Sequence, residues 1–189
     1  AKRQGFDQFI ISIGYQGKKI KDYFKDGSKL GVTIDYISEN KPLGTAGFLG
    51  MLRLKDKKMI VSNGDIISKI NFKNLINFHD ENKSFATMAI RKKLNNETFG
   101  VVETKGKKFI NVKEKPLITY NINSGIYILS TKAIKLVKKN KKIEMTDLFN
   151  LMRTLKKRVY VFPVYENWID LATIDDLSEA NKFFKKYNY

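Results

Sequence analysis

Lys58-Met59-Ile60-Val61-Ser62-Asn63-Gly64-Asp65 decides the fold. Its first half is a short apolar run, and Asn63-Gly64 is a turn signal that lets the backbone break away sharply. The stretch therefore reads as a buried strand that stops at a carboxylate, with Asp65 just past its end. In open α/β sheets, ligands bind beyond the carboxyl ends of the strands. Far downstream, Trp168-Ile169-Asp170 repeats the arrangement. Two carboxylates brought to one sheet edge suit a hard divalent cation, typically Mg²⁺ holding phosphate oxygens. Taken singly, either aspartate reads first as a turn or helix-cap residue.

Working outward, strands and helices alternate. The run Phe9-Ile10-Ile11-Ser12-Ile13 is strand-like, and Ile20, Tyr23 and Phe24 have helical spacing. A strand is expected over 32–37 and a short helix over 46–54. Phe72, Leu75, Ile76 and His79 share one helix face, so His79 is a helix-face residue and not a ligand. Strand–helix–strand connections of this length imply parallel pairs. From 84 to 129 successive strands are expected instead, at 85–91, 99–104, 108–113 and 121–129, with a hairpin turn at Lys105-Gly106-Lys107. Helices return at 132–138 and at 145–155, followed by a strand at 158–162. A last helix places Leu177, Ala180, Phe184 and Tyr187 on one face.

The chain has 189 residues and 42% hydrophobic content, enough for one domain with a substantial core. No run of eighteen apolar residues is present, so no membrane span is expected. Zero cysteines exclude disulfides, thiolate metal sites and cysteine nucleophiles, and fit a cytoplasmic location. A net charge of +17 invites a nucleic-acid reading, yet only five of the 36 basic residues are arginine: Arg3, Arg53, Arg91, Arg153 and Arg158. Arginine makes the bidentate phosphate and base contacts of specific sites, so no specific nucleic-acid partner is expected. Residues 1–5 read as the last turn of a helix closed by Gly5, with a strand following at once.

Four further segments fall at turns or strand ends. Leu43-Gly44-Thr45-Ala46-Gly47 is a glycine-bearing loop entering a helix, where backbone N–H groups can approach a ligand. Phe99-Gly100-Val101-Val102 opens a strand with a glycine that leaves room for a ring. Val112-Lys113-Glu114-Lys115-Pro116 ends a strand with an acid and a base. Asn123-Ser124-Gly125-Ile126-Tyr127 puts a glycine inside a strand, the mark of a bulge or a close ligand approach.

In this order, with Asn63-Gly64-Asp65 and Trp168-Ile169-Asp170, the motifs resemble those of the sugar-phosphate nucleotidyltransferases, the NDP-sugar pyrophosphorylases. The resemblance runs through essentially the whole chain and is closest to the guanylyltransferase-like branch often fused to CBS modules. It implies a Rossmann-like α/β fold: a mixed, mainly parallel sheet flanked by helices, with an inserted β-rich sugar-binding part around 84–129, all in a single domain over 1–189. It implies that Leu43, Gly44, Thr45 and Ala46, with Asn63 and Gly64, contact the nucleotide. Asp65 and Asp170 would hold Mg²⁺. Gly100, Glu114, Asn123 and Gly125 would hold the sugar, and Lys115 would pair with the sugar 1-phosphate. The implied substrates are an NTP, GTP favoured, and a sugar 1-phosphate. The implied chemistry is in-line attack on the α-phosphorus with release of pyrophosphate, by positioning and charge neutralisation alone. A homo-oligomer is left open, as is a second reading, a non-catalytic domain binding sugar phosphate or a partner chain.

Two departures from the resembling family stand out. Its glycine-rich phosphate-cradling segment, with the first strand, has no counterpart here, which implies a chain truncated at its start and negligible turnover. The sheet would then either borrow a strand from another chain or leave a groove beside residues 9–13. Ala172 also stands where the family usually has glycine.

Overall fold

A computed structural model describes residues 1–53 and 58–171, with Ser178 and Ala180. The elements follow in the order β1 (Gln8–Ile13), α1 (Gly17–Phe24), β2 (Thr33–Ser38), α2 (Gly44–Gly47), β3 (Lys58–Ser62), β4 (Ile66–Ser68) and α3 (Phe72–Glu81). Then come β5 (Ala86–Asn96), β6 (Val101–Lys105), β7 (Lys108–Lys113), β8 (Leu117–Ser130), α4 (Thr131–Ile134), α5 (Met145–Thr154), β9 (Val159–Pro163) and β10 (Trp168–Asp170). The protein is a mixed α/β fold with helices against its sheets. Leu54, Ala172 and the face of Leu177, Phe184 and Tyr187 lie outside the described residues, while Ala180 is helical and buried.

The main sheet has the order β3-β8-β5-β9. β5 and β9 run parallel, and β8 lies between β3 and β5, antiparallel to both. The first strand–helix–strand unit gives the directly paired parallel ladder its length implies, Gln8 opposite Thr33 through Ile13 opposite Ser38. In the later units, β8 returning antiparallel separates β3 from β5.

Side chains alternate across a strand, and the buried part of β8 uses both faces. Tyr127 and Leu129 enter one core with Leu49, Met145, Leu148 and Met152, while Ile126 and Ile128 enter another with Ile70, Leu75 and Val164. The 3.6-residue periodicity of α5 explains the first core: Met145, Leu148, Phe149 and Met152 form one buried stripe. His79 is buried on α3, its Nδ1 sharing a hydrogen bond of 2.8 Å with Thr87 Oγ1. Burial holds its pKa below the usual value.

Several boundaries move. The 46–54 helix is a four-residue α2 followed by a 3₁₀ turn at Phe48–Met51, and the 132–138 helix is α4 alone, ending at Ile134. The start is a 3₁₀ turn at Lys2–Gln4 closed by Gly5 in the left-handed region. The β-rich stretch 84–129 is only partly an insertion. The inner halves of β5 and β8 belong to the main sheet, and only their outer halves with the β6–β7 hairpin project from it.

β1 pairs only with β2, and β3 only with β8, among the described residues. Between β1 and β3 runs a cleft of about 560 Å³, its walls formed by Phe9 and Ile10, by Met59 and Ile60, and by Phe72 and Ile76 of α3. A groove beside residues 9–13 is one of the two outcomes the sequence implied.

Candidate active site

The turn after β3 is where the two aspartates meet. Asp65 C=O accepts the Leu171 N–H at 2.9 Å, and Asp170 lies opposite Ile66 in the antiparallel β4–β10 pair. Residues more than a hundred positions apart are thereby made backbone neighbours. Trp168 locks the arrangement: its indole N–H donates to Ser124 C=O at 2.8 Å, and the Arg91 guanidinium lies over its ring. Arg91 also donates to Glu166 C=O at 2.9 Å, tying the approach to β10 onto β5.

The same turn touches β8 at a bulge. The ladder slips between Met88 and Ile90, where three β8 residues, Ser124, Gly125 and Ile126, face the single Ala89. Gly125 carries φ +73°, and a Cβ there would lie 3.0 Å from Asn63 Nδ2. Asn63 N–H donates to Gly125 C=O at 2.9 Å, so the bulge and the turn are one unit. Asn123 is pre-oriented beside them. Its Nδ2 donates to Tyr127 Oη at 2.6 Å and its Oδ1 accepts the Gly125 N–H at 3.0 Å. Those two bonds leave the amide with one further hydrogen and one further lone pair. Tyr127 is buried, which pushes its hydroxyl pKa upward, so it stays a neutral anchor.

A second group lies on the projecting arm. A Cβ on Gly100 would lie 3.0 Å from Glu114 Oε2, so glycine is what lets this carboxylate lie over the strand. Lys115 follows with φ +43°, a left-handed conformation unusual for lysine, and its side chain is exposed. Direct contacts join Gly100 to Glu114 and Asn63 to Gly125, and the Leu171 bond brings Asp65 beside Asp170.

The third group is the loop at 43–46. The sequence reading offered its N–H groups to a ligand, but three are already engaged. Leu43 N–H donates to Glu39 Oε2 at 2.9 Å, Thr45 N–H to Glu144 Oε2 at 2.9 Å, and Ala46 N–H to Ile143 C=O at 3.0 Å. The loop presents a fixed shape and not a row of free donors. Glu39 and Glu144 are the residues that sequence reasoning missed. Glu144 bonds Thr45 from 99 positions away, and its only local signal was its place just before the apolar periodicity of α5; Glu39 bonds Leu43 from four positions before it.

Hard carboxylate oxygens at a strand end suit Mg²⁺, which takes one or two carboxylates and completes its shell with substrate phosphates and water. Asp65 and Asp170 are carboxylates of that kind, made neighbours through their backbones. Among the described residues no group of three or more His, Cys, Asp and Glu gathers, so nothing resembles an all-protein metal cage.

These features define a mixed α/β fold that brings two aspartate-bearing strand ends together. The profile of the nucleotidyl transferase family matches residues 1–187, and the chain belongs to that family. It is 29% identical over 189 residues to the D-glycero-alpha-D-manno-heptose 1-phosphate guanylyltransferase of Aneurinibacillus thermoaerophilus, covering 98% of this chain and 81% of that protein. It is 27% identical to the mannose-1-phosphate guanylyltransferase of Mycobacterium tuberculosis, over 91% of this chain, and spans only 50% of that relative. Among solved structures it is similar to HddC from Yersinia pseudotuberculosis, with a TM-score of 0.74 at 24% identity over 97% of this chain and 81% of that one. HddC complexed with GMP-PN gives a TM-score of 0.73 at 23% identity over the same shares of the two chains. These likenesses establish a shared fold. No helix among the described residues is long and apolar enough to cross a membrane.

Proposed function

We propose that this chain transfers a nucleoside monophosphate from an NTP to a sugar 1-phosphate, forming a nucleotide sugar. The observation that carries the reading is the bond from Leu171 N–H to Asp65 C=O, which makes neighbours of the two aspartate-bearing strand ends. Guanine is the favoured base, because the relatives named above are guanylyltransferases. Leu43, Gly44, Thr45 and Ala46 hold the base and ribose, and Asn63 and Gly64 shape the turn beneath the phosphates. Gly100, Glu114, Asn123 and Gly125 hold the sugar, and Lys115 neutralises its phosphate.

The reaction needs no protein nucleophile. A 1-phosphate oxygen attacks the α-phosphorus, the bond to the bridging oxygen breaks, and pyrophosphate leaves with the electron pair. Held by Asp65 and Asp170, Mg²⁺ would neutralise the phosphate charge that otherwise keeps two anions apart. The chain's own task is to hold both phosphates in line and exclude water.

Pyrophosphate release with GTP, Mg²⁺ and heptose or mannose 1-phosphate tests the reading. Release should depend on both substrates and fall roughly 10²–10³-fold in Asp65→Asn. Binding of sugar phosphate with no pyrophosphate release would leave a non-catalytic sugar-phosphate-binding domain instead.

A further inference from the structure

Glu144 occupies the N-cap position of α5 yet makes no side-chain bond to that helix. Its carboxylate reaches across 99 residues of sequence to Thr45, accepting the backbone N–H at 2.9 Å and the hydroxyl at 3.0 Å, both on Oε2. Thr45 returns the exchange, its Oγ1 accepting the Met145 N–H at 2.8 Å and so capping α5 in place of Glu144. Two backbone bonds flank the pair, Ile143 N–H to Leu43 C=O at 2.9 Å and Ala46 N–H to Ile143 C=O at 3.0 Å. Gly44, at φ +74°, completes the fit: a Cβ there would come within 2.7 Å of Glu144 Oε1 and of Ile143 O. The Thr45 bonds hold the Glu144 carboxyl below its usual pKa, so it is anionic throughout the neutral range.

We propose that Glu144 is a positioning residue for the nucleoside, fixing the 43–46 loop through Thr45 so that the base meets a preset surface. The inference rests on the proposed function, since it takes that loop as the nucleotide side of the site. A loop this short, with only one turn of helix behind it, has little rigidity of its own. Its shape comes from the segment entering α5, and the charged acceptor is the strongest link in that contact. Removing it frees the loop to sample other conformations, and the cost falls on nucleotide binding and spares the sugar phosphate.

The test compares wild type, Glu144→Gln, Glu144→Ala, Thr45→Val and Thr45→Ser in GTP binding with Mg²⁺, in mannose 1-phosphate binding, and in amide exchange at 43–47. Glu144→Ala and Thr45→Val should weaken GTP about tenfold, one charge-assisted hydrogen bond's worth, and leave the sugar phosphate within twofold. Exchange should rise at 43–47 alone, Glu144→Gln should be intermediate, and Thr45→Ser should restore wild-type behaviour. Unchanged GTP affinity in Glu144→Ala, or equal weakening of both ligands, overturns the inference and leaves the proposed function standing. Failure of wild type to bind any nucleotide overturns the function and the inference with it.

Discussion

The two halves of β8 obey different rules although they form one continuous strand. The inner half, residues 124–129, is buried without exception and contributes to two cores. The outer half, residues 117–121, is exposed throughout and pairs with Lys92, Lys93, Leu94, Asn95 and Asn96. Backbone pairing is the same in both; what differs is what lies above and below the sheet. Inside, helices cover each face, and the sequence becomes a nearly continuous apolar run, as a doubly covered strand requires. Outside, among the described residues, the faces stay open, and large apolar side chains such as Leu117 of β8 and Val102 and Phe109 of the β6–β7 hairpin are left 58%, 54% and 60% exposed. The inner half is built for stability. The outer half holds Gly100, Glu114 and Lys115 away from the core, where their replacement has little structural cost.

The largest effect should come from Leu129→Ala, which empties a fully buried site and should lower stability by about 2–5 kcal/mol, read by urea titration. A loss below about 1 kcal/mol would break the distinction between the halves. Lys115→Ala should do the opposite. It should reduce kcat/KM for the sugar 1-phosphate roughly 10–100-fold. The midpoint of unfolding should scarcely move. A near-normal rate at saturating metal would remove Lys115 from the mechanism.

Gly125→Ala lies at the boundary of the halves and should affect both properties. The left-handed backbone and the contact with Asn63 predict about 1–2 kcal/mol of destabilisation and a loss of turnover. A stable, active variant would show that the bulge is incidental.

His79 makes the inner half sensitive to pH. Its folded pKa is depressed by burial, so its contribution to stability is full above the unfolded value near 6.5 and is lost as pH falls below it. Wild type should therefore lose stability as pH falls below about 6.5, and His79→Gln should flatten that slope. The smallest effect belongs to Leu117→Ala on the outer half, within about 0.5 kcal/mol of wild type.

The inner half and α5 were legible in sequence because burial writes a continuous apolar run in one and a 3.6-residue stripe in the other. The end of β3 was legible for the same reason, with Asn63-Gly64 marking the turn to Asp65. The length of the arm was not. β5 continues through Lys92, Lys93, Asn95 and Asn96, which carry no strand signal and are extended because β8 pairs with them. Glu144 escaped notice because it acts on a loop 99 positions away and spacing encodes only neighbours, while Glu39 lies four positions before Leu43 with no pattern of residue types to mark it.

The cleft between β1 and β3 divides the molecule's cooperativity. No ladder joins the β1–β2 pair to the main sheet among the described residues. The described links include both ends of the Gln4 side-chain amide, bonded to Ile70 C=O and Phe72 N–H at 2.9 and 2.8 Å, and the edge-on contact of Phe6 with Phe72. With no ladder among the described residues coupling it to the main sheet, the amino-terminal unit should have its own melting behaviour. It should come apart first on heating, as a separate early transition, while the four-stranded sheet persists. Any strand that occupied the cleft would fuse the two transitions into one, converting a loosely tethered pair of folding units into a single cooperative body.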